Sequence, residues 1–151
     1  MLVGVIADTH GSLPESVARA FRGVGQIVHA GDVGSQRVLD ELGEIAPVVA
    51  VRGNMDTGEL EWRLPDTAIV RCDGRRLVVS HIGEHLTQSG AGFEADVVVS
   101  GHTHRARVTR ASGVLYVNPG AAGRRGRDGR GPTVAVLDCA ADPPEAWIID
   151  L

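Results

Sequence analysis

The sequence predicts an α/β protein whose polar chemistry collects along one edge of a parallel sheet. Three features of the chain support this. Continuous apolar runs alternate with helical patterns over the first third of the sequence. Shorter apolar runs separated by tight-turn dipeptides fill most of the remainder. Residues of metal-ligating type stand just past the ends of several of these runs.

Leu2 to Ala7 is apolar throughout and stops at Asp8, the pattern of a strand buried on both faces. A helix start follows, with Ser12 as N-cap, Pro14 in the first turn and Glu15 at capping-box spacing. Val17, Ala20, Phe21 and Val24 share one face of that helix, and Gly23 or Gly25 ends it. Gln26 to Ala30 is a second strand, ending at Gly31-Asp32. Ser35 then caps a second helix, with Val38, Leu39, Leu42 and Ile45 at helical spacing. Pro47 to Val51 is a third strand, ending at Gly53-Asn54. Such a β-α-β-α-β series with short links calls for right-handed crossovers and a parallel sheet.

Beyond Pro65 the texture changes. Thr67 to Cys72 and Arg75 to Ser80 flank Asp73-Gly74, a two-residue hairpin turn. Asp96 to Ser100, Ala106 to Arg110, Val114 to Val117, Thr133 to Leu137 and Ala146 to Ile149 are further short strands, with Ser112-Gly113 as another tight turn. This half is expected to be mostly antiparallel. The glycine-rich stretch from Gly123 to Gly131 carries Arg124, Arg125, Arg127 and Arg130. Those arginines can reach a phosphate, although a solvated hairpin loop is the simpler expectation.

At 151 residues the chain is expected to form one domain, 1–151, with no linker or repeat. Aromatics are limited to Phe21, Phe93, Trp62, Trp147 and Tyr116, so the core must be built from Val, Leu, Ile and Ala. A net charge of −4 supplies no basic field, and polymeric nucleic acid is not an expected partner. Cys72 and Cys139 are too few for a disulfide framework and read as reduced thiols in a cytoplasmic protein. The first apolar run lacks a basic leader and is too short for a signal peptide or membrane span, so no membrane association is expected.

The ligand-type residues follow the strands in order. Asp8 and His10 follow the first, Asp32 the second and Asn54 the third. His81 follows Arg75 to Ser80, and His102 with His104 follow Asp96 to Ser100. In open α/β sheets the ligand crevice lies outside the carboxyl ends of the strands, so these side chains are expected to meet there. In Gly101-His102-Thr103-His104 the i, i+2 imidazoles converge only if the strand ends and the backbone turns, which Gly101 permits. Mixed oxygen and nitrogen donors without thiolate suit Mn, Fe, Zn, Ni or Co rather than a Cys-type structural zinc site. Seven donors exceed what one tetrahedral ion needs, whereas two ions sharing a carboxylate would use them.

Taken in order, Asp8-x-His10, Gly31-Asp32, Gly53-Asn54-Met55-Asp56, His81 and Gly101-His102-Thr103-His104 resemble the motifs of the calcineurin-like metallophosphoesterases. The likeness is greatest to the small YfcE-type phosphodiesterases of bacteria and archaea, to which Asn118-Pro119-Gly120 is also similar. The resemblance implies a four-layer α/β/β/α sandwich of mixed sheets with two divalent metal ions. Asp8, His10, Asp32 and His104 would hold the first ion. Asp32, Asn54, His81 and His102 would hold the second, with Asp32 bridging. Asp32, Asn54 and His81 would thereby be catalytic. The implied activity is a phosphoesterase, above all a phosphodiesterase, in which a metal-bridging hydroxide attacks phosphorus in line. Manganese is the first expectation for the metal, with Ni, Fe, Zn, Co and Mg as alternatives. The substrate would be a small phosphodiester or phosphomonoester.

The chain departs from that pattern at Met55, where many relatives carry a histidine that assists the leaving group. A thioether donates no proton. Asp56 and His85 are candidate replacements, and Arg52 is a candidate phosphate-binding residue. The alternatives are a loop anchor for Asp56, a surface position for His85 and an ion-pair partner for Arg52. Without a good acid, esters with low-pKa leaving groups are favoured. His29 is expected to be a buried structural histidine, and Thr103 to orient its loop. The competing reading is a non-catalytic, metal-binding interaction scaffold like the retromer subunit of the same fold, and the full set of seven ligand types favours the enzyme. Strand edges and the Trp62-Arg63-Leu64-Pro65 segment leave room for a homodimer.

Overall fold

The computed structural model describes residues 1–84, 94–124 and 126–151, so His85 and Arg125 lie outside the described residues. The first half contains β1 (Leu2–Ile6), α1 (Ser16–Ala20), β2 (Gln26–His29), α2 (Gln36–Gly43), β3 (Val48–Ala50) and α3 (Glu59–Arg63). The second half contains β4 (Thr67–Cys72), β5 (Arg75–Ser80), β6 (Val97–Val99), β7 (Arg107–Ala111), β8 (Val114–Asn118), β9 (Thr133–Asp138) and β10 (Glu145–Asp150).

These strands form two five-stranded sheets, ordered β10-β9-β1-β2-β3 and β4-β5-β6-β8-β7. In the first, β1, β2 and β3 run parallel, with Val5 opposite Val28 and Val28 opposite Val49. Between the sheets lie Val3, Val5, Ala7, Val28 and Ala30 from one side and Leu77, Val79, Val97, Val99 and Val117 from the other. The opposite face of the first sheet, with Ile6 and Ile27, is covered by Val17 and Phe21 of the first helical turn region and Val38 and Leu42 of α2. Two mixed sheets flanked by helices make this the predicted four-layer α/β/β/α sandwich. Among the described residues, no helix is long and apolar enough to cross a membrane.

The predicted Ser35 cap forms, its Oγ accepting from Arg37 N–H at 3.3 Å. Both predicted hairpin turns form as well. Asp73-Gly74 and Ser112-Gly113 each place two successive residues at positive φ, as a type I′ turn requires.

The start of the first helix is corrected, and two features go beyond what the sequence predicts. The second half is mostly antiparallel, in β4–β5, β7–β8 and β9–β10, but β5 pairs β6 in parallel and β6 pairs β8 in parallel. Moreover β9 and β10 leave that half and complete the first sheet, β9 running antiparallel to β1. The reason is burial: Thr133 to Leu137 is buried at every position, so it needs partners on both sides and covers on both faces. The first helix begins at Ser16 rather than after Ser12. Ser12 N–H donates to the Thr9 carbonyl (3.0 Å) and Gly11 N–H to the Val33 carbonyl (2.8 Å), which holds this stretch in the loop that carries His10. Helix α3 was not predicted, since it buries only Leu60 and leaves Trp62 86% exposed, presenting no apolar stripe.

Candidate metal centre

At the carboxyl edge of the two sheets the backbone turns through the left-handed region repeatedly. Asp8 (φ 54°), His10 (48°), Asp32 (53°), His102 (65°) and His104 (56°) all adopt it. Each such residue costs on the order of 1–2 kcal/mol, so the surroundings must over-determine it. Cross-loop hydrogen bonds do so: Asp8 N–H to Gly31 carbonyl at 3.0 Å, His10 N–H to Asp32 carbonyl at 3.0 Å, and Gly101 N–H to His81 carbonyl at 3.0 Å. Gly31 also permits a close approach, because a Cβ there would lie 2.7 Å from His81 Nδ1.

Asp8, His10, Asp32 and His104 converge, offering ligand atoms that all lie within 4.8 Å of one another. This cluster is capable of holding a divalent metal ion. His104 Nε2 is 3.0 Å from Asp8 Oδ1, and His10 Nε2 is 3.9 Å from both Asp8 Oδ1 and Asp32 Oδ2. Asp8 Oδ2 accepts from His102 N–H at 3.1 Å, whereas the buried Oδ1 has no hydrogen-bond partner. A buried carboxylate oxygen in that state is costly, and a cation among these four residues would satisfy it. Burial raises the Asp8 carboxyl from 3.8 to about 7, against the opposing pull of His81. Burial, and then the Arg124 guanidinium, hold His10 below its ordinary value and bring His104 down to about 4. Both imidazoles are therefore neutral near pH 7, the form that ligates metals.

A second group assembles around Asn54. Its Oδ1 lies 3.0 Å from His81 Nε2 and 3.0 Å from His102 Nδ1, and His81 Nε2 is 3.5 Å from Asp32 Oδ2. His81 Nδ1–H donates to the Ala30 carbonyl at 2.7 Å, which fixes the tautomer and aims Nε2 into the site. Burial pulls His81 down, but Asp32 and the Ala30 carbonyl outweigh it and leave the ring above its ordinary value. Conversely, burial pushes Asp32 up, but His81 and the Met55 N–H, donating to Oδ1 at 2.8 Å, hold it below the usual carboxylate range. The histidines thus sort into two edge-to-face pairs, His10 with His104 (5.5 Å between centroids) and His81 with His102 (5.2 Å). Asp32 faces both pairs.

The remaining candidates fall elsewhere. Asp56 is buried, and its two oxygens accept from Gly34 N–H and Gly53 N–H, each at 2.8 Å. Asp56 thus braces two loops, the arrangement of the loop-anchor alternative. Arg52 donates to Asp66 Oδ1 (3.0 and 2.5 Å) and to the Glu61 carbonyl (3.2 Å), while lining a cavity of about 550 Å³ with Asn54 and His81. His29 is fully buried, its Nδ1 accepting from Gly31 N–H (3.2 Å) and its Nε2 facing Thr9 Oγ (2.9 Å). Desolvation brings its pKa down to about 3, as befits a structural neutral imidazole. Thr103 Oγ accepts from Asn118 Nδ2 (3.1 Å), which also donates to the Gly101 carbonyl (2.8 Å). Asn118 therefore braces the double-histidine loop, a role that its place in the Asn-Pro-Gly motif hinted at without specifying. Sequence reasoning also left Arg124 unplaced, yet its Nη2 lies 2.9 Å from His10 Nε2. Its only signal was the arginine-rich composition of that loop.

Two mixed sheets with a carboxylate and imidazole cluster at their strand ends make an architecture that can hold a divalent metal ion. Residues 1–142 match the calcineurin-like phosphoesterase superfamily domain, and the chain belongs to that superfamily. It is 38% identical over 133 residues to a probable metallophosphoesterase of Methanothermobacter thermautotrophicus, covering 80% of this chain and 76% of the relative. Among solved structures, a novel archaeal phosphodiesterase aligns over the whole of both chains with 29% identity and a TM-score of 0.83. Yfce, a phosphoesterase from E. coli, aligns over 91% of this chain and 88% of its own with 27% identity and a TM-score of 0.73. Vacuolar Protein Sorting 29 of Cryptosporidium parvum shares the fold at 20% identity, with a TM-score of 0.76 over 99% and 97% of the two chains.

Proposed function

We propose that this protein is a dinuclear-metal phosphoesterase that hydrolyses small phosphodiesters. The observation that carries this reading is the position of Asp32, whose Oδ2 is 3.9 Å from His10 Nε2 and 3.5 Å from His81 Nε2. One carboxylate thereby faces two donor groups, Asp8, His10 and His104 on one side and Asn54, His81 and His102 on the other. Two divalent ions held there would activate water for in-line displacement at phosphorus and neutralise the phosphoryl oxygens. The protein's own groups set the conditions for that chemistry. Asn54 contributes a neutral oxygen, so the site keeps net positive charge toward an anion. His81 is locked by the Ala30 carbonyl, and His102 and His104 divide between the two groups. Manganese is the first metal to test, since oxygen and imidazole donors without thiolate suit it.

Met55 is 62% exposed and has no proton to give, and both Asp56 oxygens are engaged by backbone amides. Leaving groups that need no protonation are therefore preferred. The cavity beside Asn54, with Arg52, Glu61 and Asp66 in its wall, has room for the second ester arm of a diester. The two buried free thiols, Cys72 and Cys139, fit a reducing, cytoplasmic setting. The test is a panel of metals against bis(p-nitrophenyl) phosphate and p-nitrophenyl phosphate, with Asp32→Asn and His81→Ala as controls. Metal-dependent turnover that prefers the diester, and is lost in both variants, supports the reading. Tight metal binding without turnover by the wild type overturns it in favour of a non-catalytic scaffold.

A further inference from the structure

The arginine-rich loop is fastened to both sides of the first ligand group. On its incoming side, Ala122 N–H donates to the Ala7 carbonyl at 3.0 Å and Gly123 N–H to the Asp8 carbonyl at 3.2 Å. Gly123 packs so closely there that a Cβ on it would stand 2.1 Å from the Thr9 carbonyl oxygen. On its outgoing side, Arg127 N–H donates to the His104 carbonyl at 2.9 Å, and Ala106 N–H donates to Asp128 Oδ2 at 3.0 Å. Arg124 lies between these fastenings. It is an exposed residue whose guanidinium is nonetheless directed at His10, 2.9 Å from Nε2.

A cation fixed beside a cation-binding group weakens that group unless an anion comes between them. A phosphate ester is such an anion, and a guanidinium fork matches two of its oxygens. We propose that Arg124 binds the non-bridging oxygens of the substrate's phosphoryl group at the His10 end of the site. This rests on the phosphoesterase reading and gives it a polarity. The phosphoryl group is anchored from the Gly123–Arg124 side, while the ester arm extends toward the cavity beside Asn54. His10 Nε2 has a single lone pair, so with that lone pair on a metal the Arg124 guanidinium would be free to turn to the substrate.

The experiment compares wild type, Arg124→Ala and Arg124→Lys in three measurements. Orthophosphate binding to the manganese-loaded proteins is read by calorimetry, manganese uptake by titration of the metal-free proteins, and turnover with bis(p-nitrophenyl) phosphate. Arg124→Ala is expected to weaken orthophosphate binding and raise KM by about ten- to a hundredfold, the scale of one charge-assisted hydrogen bond, with a smaller change in kcat. Lysine is expected to restore part of both, and manganese uptake to stay equal or tighten. Orthophosphate affinity and KM within about twofold of wild type in Arg124→Ala would overturn the proposal. So would a wild type that binds no orthophosphate, or an Arg124→Ala protein that loses manganese, which would leave Arg124 a merely structural partner of His10. A wild type that binds orthophosphate through Arg124 but hydrolyses no ester keeps this assignment and removes the phosphoesterase reading instead.

Discussion

Gly53 and Asp32 are packed so tightly that a Cβ on Gly53 would stand 2.1 Å from Asp32 N and 2.1 Å from Asp32 Oδ1. The contact couples the loop bearing Asn54 to the carboxylate that faces both donor groups. Gly53→Ala must therefore push Asp32, its Met55 hydrogen bond, or both, out of position. A displacement of this kind costs about a hundredfold in rate when it misplaces reacting groups by an ångström. Metal-saturated kcat/KM should fall by that order, and the thermal midpoint should fall as well, since Gly53 is buried and the clash is with backbone. Unchanged kcat/KM would show that the position of Asp32 is not critical.

Asp56 supplies the acceptors for two backbone amides, Gly34 and Gly53. Asp56→Ala leaves both without a partner, and each unsatisfied group costs about 1–3 kcal/mol. Chemical denaturation should show a loss of a few kcal/mol by the same rule, together with weaker metal binding as the Asn54 loop loosens. Asp56→Asn keeps one acceptor and should fall between. Were Asp56 a proton donor instead, both variants would remove the alkaline limb of the pH–rate profile at unchanged stability.

The elevated Asp8 pKa makes metal uptake depend on pH. In the metal-free protein the folded-state value lies above the ordinary one, 3.8 against about 7. Asp8 therefore adds stability at low pH that is lost as pH rises through about 7, where a buried charge must form. Metal binding needs that charge, so apparent affinity should rise with pH up to about 7 and then level off. His104, at about 4, is already neutral there, and His10 is held below its ordinary value. Calorimetry in buffers of different ionisation enthalpy at pH 6 should count close to one proton released per metal bound in the first group. Asp8→Asn should abolish that release.

His29 has the opposite sign. Its folded-state value of about 3 lies below the ordinary 6.5, so its contribution is complete above pH 6.5 and is lost as pH falls toward 3. Both ring nitrogens are engaged in the neutral form, and protonating Nδ1 forfeits the bond from Gly31 N–H. Urea midpoints of wild type should decline through this interval. His29→Gln should start about 1–3 kcal/mol less stable at neutral pH and decline less steeply. Parallel curves for the two proteins would assign the acid sensitivity to other groups.

Local signals in the chain are legible where one strong preference acts alone. The all-apolar Leu2 to Ala7 run became a central strand, and Asp73-Gly74 became a hairpin turn because no other dipeptide chemistry competed with it. The strand-end positions of Asp8, His10, Asp32 and His104 were legible for the same reason, and the four do meet. Legibility failed where distant partners decide. Pairing of Leu2–Val5 with Ala135–Asp138 depends on which sheet has an open edge, and no residue in either segment encodes that. Ser12 carries a good helix-cap signal, but the hydrogen bonds of the His10 loop override it. The directions of Asp56 and Arg124 were hidden because loop side chains follow no period.

The site draws Asp8, His10, Asp32 and Asn54 from the edge of one sheet and His81, His102 and His104 from the edge of the other. Within the first sheet, β1 is held between β2 and β9, and β9 comes from residues 133–138. During synthesis every one of these seven side chains leaves the ribosome before β9 does. A nascent chain thus contains all the donors while lacking the strand that steadies the first of them. The order of the chain therefore separates the arrival of the donors from the completion of the sheet that positions them.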